Sequence, residues 1–331
     1  MLGLMLALID NALLSIVSAA IPASTVVVLA ATGALINERV GVLNLGQEGL
    51  IGIGAVFAVI AVFDAGITSP WLAFAIGMLA AAVVGIVFAV CTVVIRANQV
   101  LIGLALALGG IGLANQLGTN RSGTPINNSF KPLDPFGLFT KNDFVESFLH
   151  HDPIVYLAYL VIPGALWFLY FRTRHGLAVR AVGENPAAAD AAGARVLGIR
   201  FFYTVLGCAI SGAAGAYMVL TITPTWSPDI ARGRGWIALA VVIFAGWRPF
   251  RVVAGALLYG SMISLDATTQ ARGWELPLLS AADFSFVLSM LPYLVTLGAI
   301  LIPAAAAHRS HRVRASAAPG ALGVPYFREE R

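Results

Sequence analysis

The sequence predicts an all-α integral membrane protein, a polytopic helical bundle of about eight to nine transmembrane segments. Composition is the first reason. Of 331 residues, 59% are hydrophobic and only 11% charged, against about 25% charged in a soluble domain, so a water-soluble fold would lack the side chains to cover its surface. The second reason is the length of the charge-free runs 11–37, 65–95, 97–120, 153–171, 201–228 and 284–307. Each reaches or approaches the roughly 20 residues that cross a hydrocarbon core. The third is that only three polar interruptions of any weight separate them. Residues 1–304 therefore read as one membrane domain, and 305–331 as a basic tail of Ala, Gly, Pro and Arg expected to lack fixed structure.

In chain order, 11–37 is the first span. It is longer than the roughly 7–15 apolar residues of a cleavable signal and no Lys or Arg precedes it, so Met1 is expected to start the mature protein. Residues 36–49, INERVGVLNLGQEG, then break the apolar pattern ahead of a short apolar piece, 49–63. The runs 65–95 and 97–120 follow with Arg96 between them. Loop 119–152 is rich in Asn, Pro and Gly and holds two amphipathic stretches, FGLF and FVESFL. After the span 153–171 comes the long loop 172–200, then 201–228. Two pieces, 235–247 and 252–265, are too apolar for loops and short for spans, and 284–307 is the last run.

Orientation follows from Arg and Lys, which favour cytoplasmic flanks. Nine spans with the N-terminus outside put fourteen of the 20 Lys and Arg on inner segments, and reversal would invert that ratio. The N-terminus and loop 119–152 are thus expected outside a bacterial inner (plasma) membrane, with loop 172–200 and the C-terminal tail in the cytoplasm. The net charge of +4 then reflects topology at a lipid bilayer, and nucleic acid need not be invoked. Cys91 and Cys208 lie in apolar segments without spaced partners, against a disulfide framework or a zinc site. Trp226, Trp236 and Trp247 read as interface markers. His150, His151 and Asp152 are adjacent rather than convergent, and no metal site is expected there.

The halves echo each other. A run of 27 residues from Asn11 leads into the charged, Gly-bearing stretch Glu38–Gly49, and a run of 28 from Phe201 leads into Asp229–Gly235. Such an echo fits an inverted repeat, in which a solute path lies between halves near broken helices. Apolar sequences also produce echoes by composition alone. Within 36–49, Asn37, Glu38, Asn44, Gln47 and Glu48 are candidates for lining the path, since charges at membrane depth cost about 2.5–3.5 kcal/mol each and face a cavity or a partner. Glu38 and Arg39 would satisfy each other or nearby helix ends. Position alone equally allows a loop with its charges in water.

In loop 172–200, Asn185 suits an N-cap and Pro186 a first helical position. The alanines that follow favour helix and Gly193 can end it. The result is a rod of about two turns, too short to cross the bilayer and open to close approach by another protein. No catalytic residue is expected. A phosphate-binding loop needs Gly-Lys-Ser/Thr, whereas Lys131 and Lys141 follow Phe and Thr, so ATP is not hydrolysed by this polypeptide.

The stretch INERVGVLNLGQEGLIGIGA resembles the signature of permeases in nucleoside and simple-sugar ABC importers, relatives of branched-chain amino acid and pentose permeases. AVGENPAAADAAG resembles their coupling segment and GRGWIALAVVIFAGWRPF a later block of the same family. The likeness runs from about Asn11 to Pro303, in one order. It implies that Gly183, Glu184, Asn185, Pro186, Ala189, Asp190 and Gly193 dock on a cytoplasmic ABC ATPase that binds ATP and Mg, with no cofactor in this chain. It also implies a second homologous permease and an extracytoplasmic solute-binding lipoprotein. A branched-chain amino acid permease is the nearest alternative. An ion-coupled secondary transporter is another, but Glu38, Glu48 and Asp266 all lie at segment ends rather than mid-span.

Overall fold

Helix boundaries follow the caps and prolines that the sequence offers. The structure, a computed structural model, describes residues 2–134, 143–272 and 318–328 and a few helical positions between 287 and 301. Among them the elements are α1 (Leu2–Arg39), α2 (Gln47–Phe63), α3 (Pro70–Ala89), α4 (Gln99–Gly118), α5 (Asp143–Leu149), α6 (Pro153–Tyr156), α7 (Ile162–Arg172), α8 (Arg174–Glu184), α9 (Pro186–Ala191), α10 (Val196–Tyr217), α11 (Arg234–Ala245) and α12 (Pro249–Arg272). π-helical turns prolong α3 to Val94 and α10 to Ile222, and another joins α6 to α7. Asn98, Asp152, Thr173 and Asn185 each cap a helix by accepting from a free N-terminal amide. Each such cap contributes about 1 kcal/mol.

Six described helices are long and apolar enough to cross a bilayer: Ile16–Arg39, Pro70–Val94, Gln99–Arg121, Pro153–Arg172, Val196–Ile222 and Pro249–Ala271. α2 and α11 are shorter apolar helices. The piece 252–265, short on its charge-free length, is part of a full-length helix. Its ends hold Arg251 in the first turn and Asp266, which accepts from Gln270 one turn on at 3.0 Å. The run 284–307 and the stretch FGLF lie largely or wholly outside the described residues.

The centre of the bundle is α1 and α10, with 78% and 67% of their apolar windows buried, while α3 and α4 at 28% and 22% form its skin. Leu79, Val83 and Val87 on α3 and Leu101 and Leu108 on α4 are more than half exposed, an apolar band that suits lipid and would be a liability in water. Backbones touch where helices cross. A Cβ on Gly54 of α2 would strike the Gly212 carbonyl of α10, and one on Gly215 would strike the Ile51 carbonyl. Small residues at crossings are how membrane helices gain packing contacts without a hydrophobic drive between them.

Residues 318–328 depart from the expectation of a tail without structure. The Ala321 amide donates to the Gly183 carbonyl (3.0 Å) and the Gly323 amide to the Gly41 carbonyl (3.2 Å). The Arg200 guanidinium donates to the Val324 carbonyl (3.0 Å). Tyr326 is buried in a small apolar cluster with Val182, Ala189 and Val196. Its composition of Gly, Ala and Pro reads as disorder, yet small residues are what let this segment lie against two glycine backbones. Gly323, at φ +77°, makes the turn.

Candidate functional site

The polar strip after α1 is a break in the membrane core. Asn37, Glu38, Asn44, Gln47 and Glu48 are each no more than 5% exposed, which removes the alternative of a loop in water. Gly41, at φ +81°, turns the chain out of α1. With its amide oriented to suit its neighbours, Asn37 donates to the Tyr203 and Thr204 carbonyls of α10 and accepts from Asn44 Nδ2 (3.2 Å). The Asn44 amide also reaches Cys208 Sγ (3.3 Å). Ser211 Oγ of α10 donates to Gln47 Oε1 (2.5 Å). All five candidates are hydrogen-bonded inside the bundle, and of them Glu48 alone also borders a described cavity.

A second break grips the first. Glu48 Oε1 and Oε2 accept from the Gly233 and Gly235 amides (2.6 and 2.7 Å) at the start of α11. At the far end of α11, Trp247 Nε1 donates to Glu38 Oε2 (2.5 Å) and Arg39 donates to the Trp247 carbonyl. Glu38 and Arg39 therefore bind one helix end rather than each other. Gly46 and Gly49 lie against Leu106 and Ala107, near the middle of α4, so α2 begins at mid-depth. From there α2 runs to the face where Asp64 pairs with Arg121. α11 begins at the same depth and runs the other way, to the face where Trp247 meets Arg39. Two half-length helices start side by side, aiming their N-terminal amides into one region.

That region holds a cavity of 230 Å³ lined by Glu48, Asn115, Trp226, Asp229, Arg232 and Trp236 among others. Asn115 Nδ2 donates to Asp229 Oδ1 (2.9 Å), and the Asp229 amide donates back to Asn115 Oδ1 (3.0 Å). Asp229 and Arg232 hold positive φ of 52° and 47°, a conformation that costs a non-glycine residue about 1–3 kcal/mol and collects at functional sites. Trp226 and Trp247 are buried, and only Trp236 is exposed, so as interface markers the first two are corrected. Trp226 sits on Gly118, where a Cβ would collide with its ring, and Trp247 is held by Glu38. Sequence reasoning missed Asn115; its signal was an amide at helical depth in an otherwise apolar run.

The loop 172–200 folds as α8 and α9. Asn185 Oδ1 caps α9 by accepting from the Ala188 amide (3.0 Å), Pro186 is its first residue, and Gly193 reverses the chain at φ +88°. Ala187, Ala188 and Ala191 are exposed while Ala189 is buried against Val182. Asp190 pairs with Arg328 (3.4 Å), and Glu184 accepts from the Gly320 amide (3.4 Å). Gly183 lies so close to the Arg39 carbonyl that no Cβ fits. α8 thus bears directly on the end of α1.

At the opposite face, Asp152 caps α6 and accepts from Tyr217 (2.7 Å). Burial raises its carboxyl above the ordinary range, against the lowering effect of the Tyr217, Val155 and Ile154 hydrogen bonds. His151 is pushed down, also by burial first.

The model of a family described as "Branched-chain amino acid transport system / permease component" matches residues 15–300. TsgC13 of Haloferax volcanii, a permease provisionally named for glucose ABC transport, is 35% identical, covering 95% of this chain and 98% of its own length. The guanosine ABC transporter permease NupQ of Bacillus subtilis is 29% identical over 96% of this chain and 99% of its own. The nucleoside ABC transporter permease NupC of Lactococcus lactis subsp. cremoris is 30% identical over 87% and 91%.

Proposed function

This chain belongs to the family of branched-chain amino acid transport system permease components, and from that premise we propose that it is the membrane permease of an ABC importer for nucleosides or simple sugars. The observation that carries the solute class is the cavity at the meeting of the two breaks. Aromatic faces from Trp226 and Trp236 beside an amide, two carboxylates and a guanidinium suit a polar ring with several hydrogen-bonding groups. A branched aliphatic side chain would offer the exposed Asp229 carboxylate and Arg232 guanidinium no hydrogen-bonding group. The names of TsgC13, NupQ and NupC support the same choice.

Partner subunits supply the rest. A cytoplasmic ATPase binds and hydrolyses ATP, a second permease completes the pathway, and a solute-binding lipoprotein delivers cargo from outside. The distribution of Arg supports α9 facing the cytoplasm. The opposed directions of α2 and α11 support an inverted repeat, and counting these two half-length helices and the apolar run 284–307 with the six long helices brings the total to eight or nine.

Transmission starts at α9. ATP-driven closure of the partner presses on its exposed alanines, and α8 carries the push through Gly183 to the Arg39 carbonyl. Glu38 and Glu48 hold α11 to the two ends of the break, so displacement at Arg39 shifts α11 and the cavity wall together. Access alternates because a packed core has discrete arrangements rather than a continuum.

The test is uptake of labelled guanosine and labelled glucose in cells lacking the gene and complemented with it, with competition by leucine. Uptake of one of the two, lost without the ATPase and insensitive to ionophores, is expected. Leucine as the transported solute would exclude the nucleoside and sugar reading, and ionophore-sensitive uptake without the ATPase would exclude ABC transport.

A further inference from the structure

The C-terminal segment Pro319–Arg328 is joined to two places that matter for transmission. Its Ala321 amide holds the Gly183 carbonyl, at the end of α8, and its Gly323 amide holds the Gly41 carbonyl, in the break after α1. Arg200 of α10 secures the same segment through Val324. Tyr326 fills the space beneath α9, against Ala189. Arg328 reaches Asp190 on α9 itself, and Phe327 lies under the Arg96 guanidinium at 4.9 Å from the ring centre. Buried backbone hydrogen bonds of this kind describe a fixed strap rather than a loosely lying tail.

The strap also shapes the surface beside α9. A groove of 310 Å³ runs between α9 and the segment, lined by Asp190, Gly193, Arg195, Leu197, Tyr326 and Arg328. Around it Leu197 (41%), Val324 (54%) and Phe327 (40%) stay exposed beside charged Arg195 and Arg328. Apolar centres rimmed by charge are the usual composition of a protein interface. The groove is continuous with the exposed face of α9, so a protein that seats on α9 meets the strap as well.

We propose that the ATPase docks on a composite surface made of α9 and residues 319–328, with the strap as its second wall and as a direct tie from that surface to the α1 break. This rests on the reading of α9 as the coupling helix, and the experiment separates the two. A photo-crosslinking phenylalanine analogue is placed singly at Ala188, Val324 and Phe327 in the full transporter, and at Trp71 on the opposite face as a control. All are exposed positions, and equal membrane content of each variant confirms folding.

Crosslinks to the ATPase from 188, 324 and 327, and none from 71, are expected. Capture of the ATPase by the purified Phe327→Ala permease should weaken about tenfold, the scale of losing an aromatic contact near an interface centre. Crosslinks to the ATPase from 188 alone would overturn the composite surface and leave α9 as the coupling helix. Labelling from 324 and 327 of lipid or of this chain only would overturn it too. Silence at all three positions would remove both readings.

Discussion

The two helix breaks of this molecule are alike in sequence and opposite in character. The first, between Arg39 and Gln47, buries its polar residues Asn44 and Gln47 and has the flanking carboxylates Glu38 and Glu48 bound by α11 at both ends. The second, between Ile222 and Arg234, exposes Asp229 and Arg232 on a strained backbone around a cavity. Polar residues in a membrane protein are therefore not one class. In the first break they are mortar, bound to other parts of the chain with Gln47 Nε2 and Arg39 Nε left over; in the second they are presented to whatever enters the cavity.

The sharpest way to break that contrast is Glu48→Ala. It orphans the Gly233 and Gly235 amides, at about 1–3 kcal/mol each, and thermal unfolding in detergent should register a loss of about 2–6 kcal/mol, with Glu48→Gln in between. Trp247→Phe leaves Glu38 buried without its donor and should cost about 1–3 kcal/mol in the same assay. Asn185→Ala removes only the α9 cap, about 1 kcal/mol, and should reduce uptake per ATP hydrolysed more than it reduces stability. Asp229→Asn keeps an oxygen acceptor for Asn115 and a residue type that tolerates positive φ, so it should change stability by no more than about 0.5 kcal/mol while raising the KM for uptake. If Asp229→Asn destabilised as much as Glu48→Ala, both breaks would be mortar.

A carboxylate outside both breaks gives the smallest effect. Asp152 has its folded pKa raised by burial, so the native state holds its proton more tightly than the unfolded chain does. Its contribution to stability is then full below the ordinary carboxylate value of about 3.9 and declines as pH rises through the raised value. Asp152→Asn keeps the size and an acceptor for the cap. Its melting temperature should fall less than that of the unaltered protein between pH 4 and neutrality, a range set by that carboxylate value of about 3.9.

Much of this was legible in the residues. Long apolar runs, the Asn185-Pro186 start of α9 and the polar strip after α1 are local signals, and local chemistry decides them. What sequence could not supply was pairing across the fold. Glu38 meets Trp247 and Glu48 meets Gly233 only because two chain reversals bring them together. Counting charge-free residues understated α12, since a helix end tolerates the Arg251 that ends a run. The strap was read as disorder for a related reason: Gly, Ala and Pro offer no periodicity, and their fit depends on the equally bare backbones of Gly41 and Gly183.

The position of α1 at the centre has a consequence for how the protein is made. It leaves the ribosome before α10 and α12, yet it packs on both. Ser24 awaits Tyr159, the Ile16 carbonyl awaits Ser264, and Glu38 awaits Trp247. A helix that enters the bilayer before its main partners is thus completed only late, and until residue 247 arrives it carries an unmatched carboxylate at its end. Nascent chains halted before that point should depend on insertion machinery to shelter α1, whereas chains released after α12 should not.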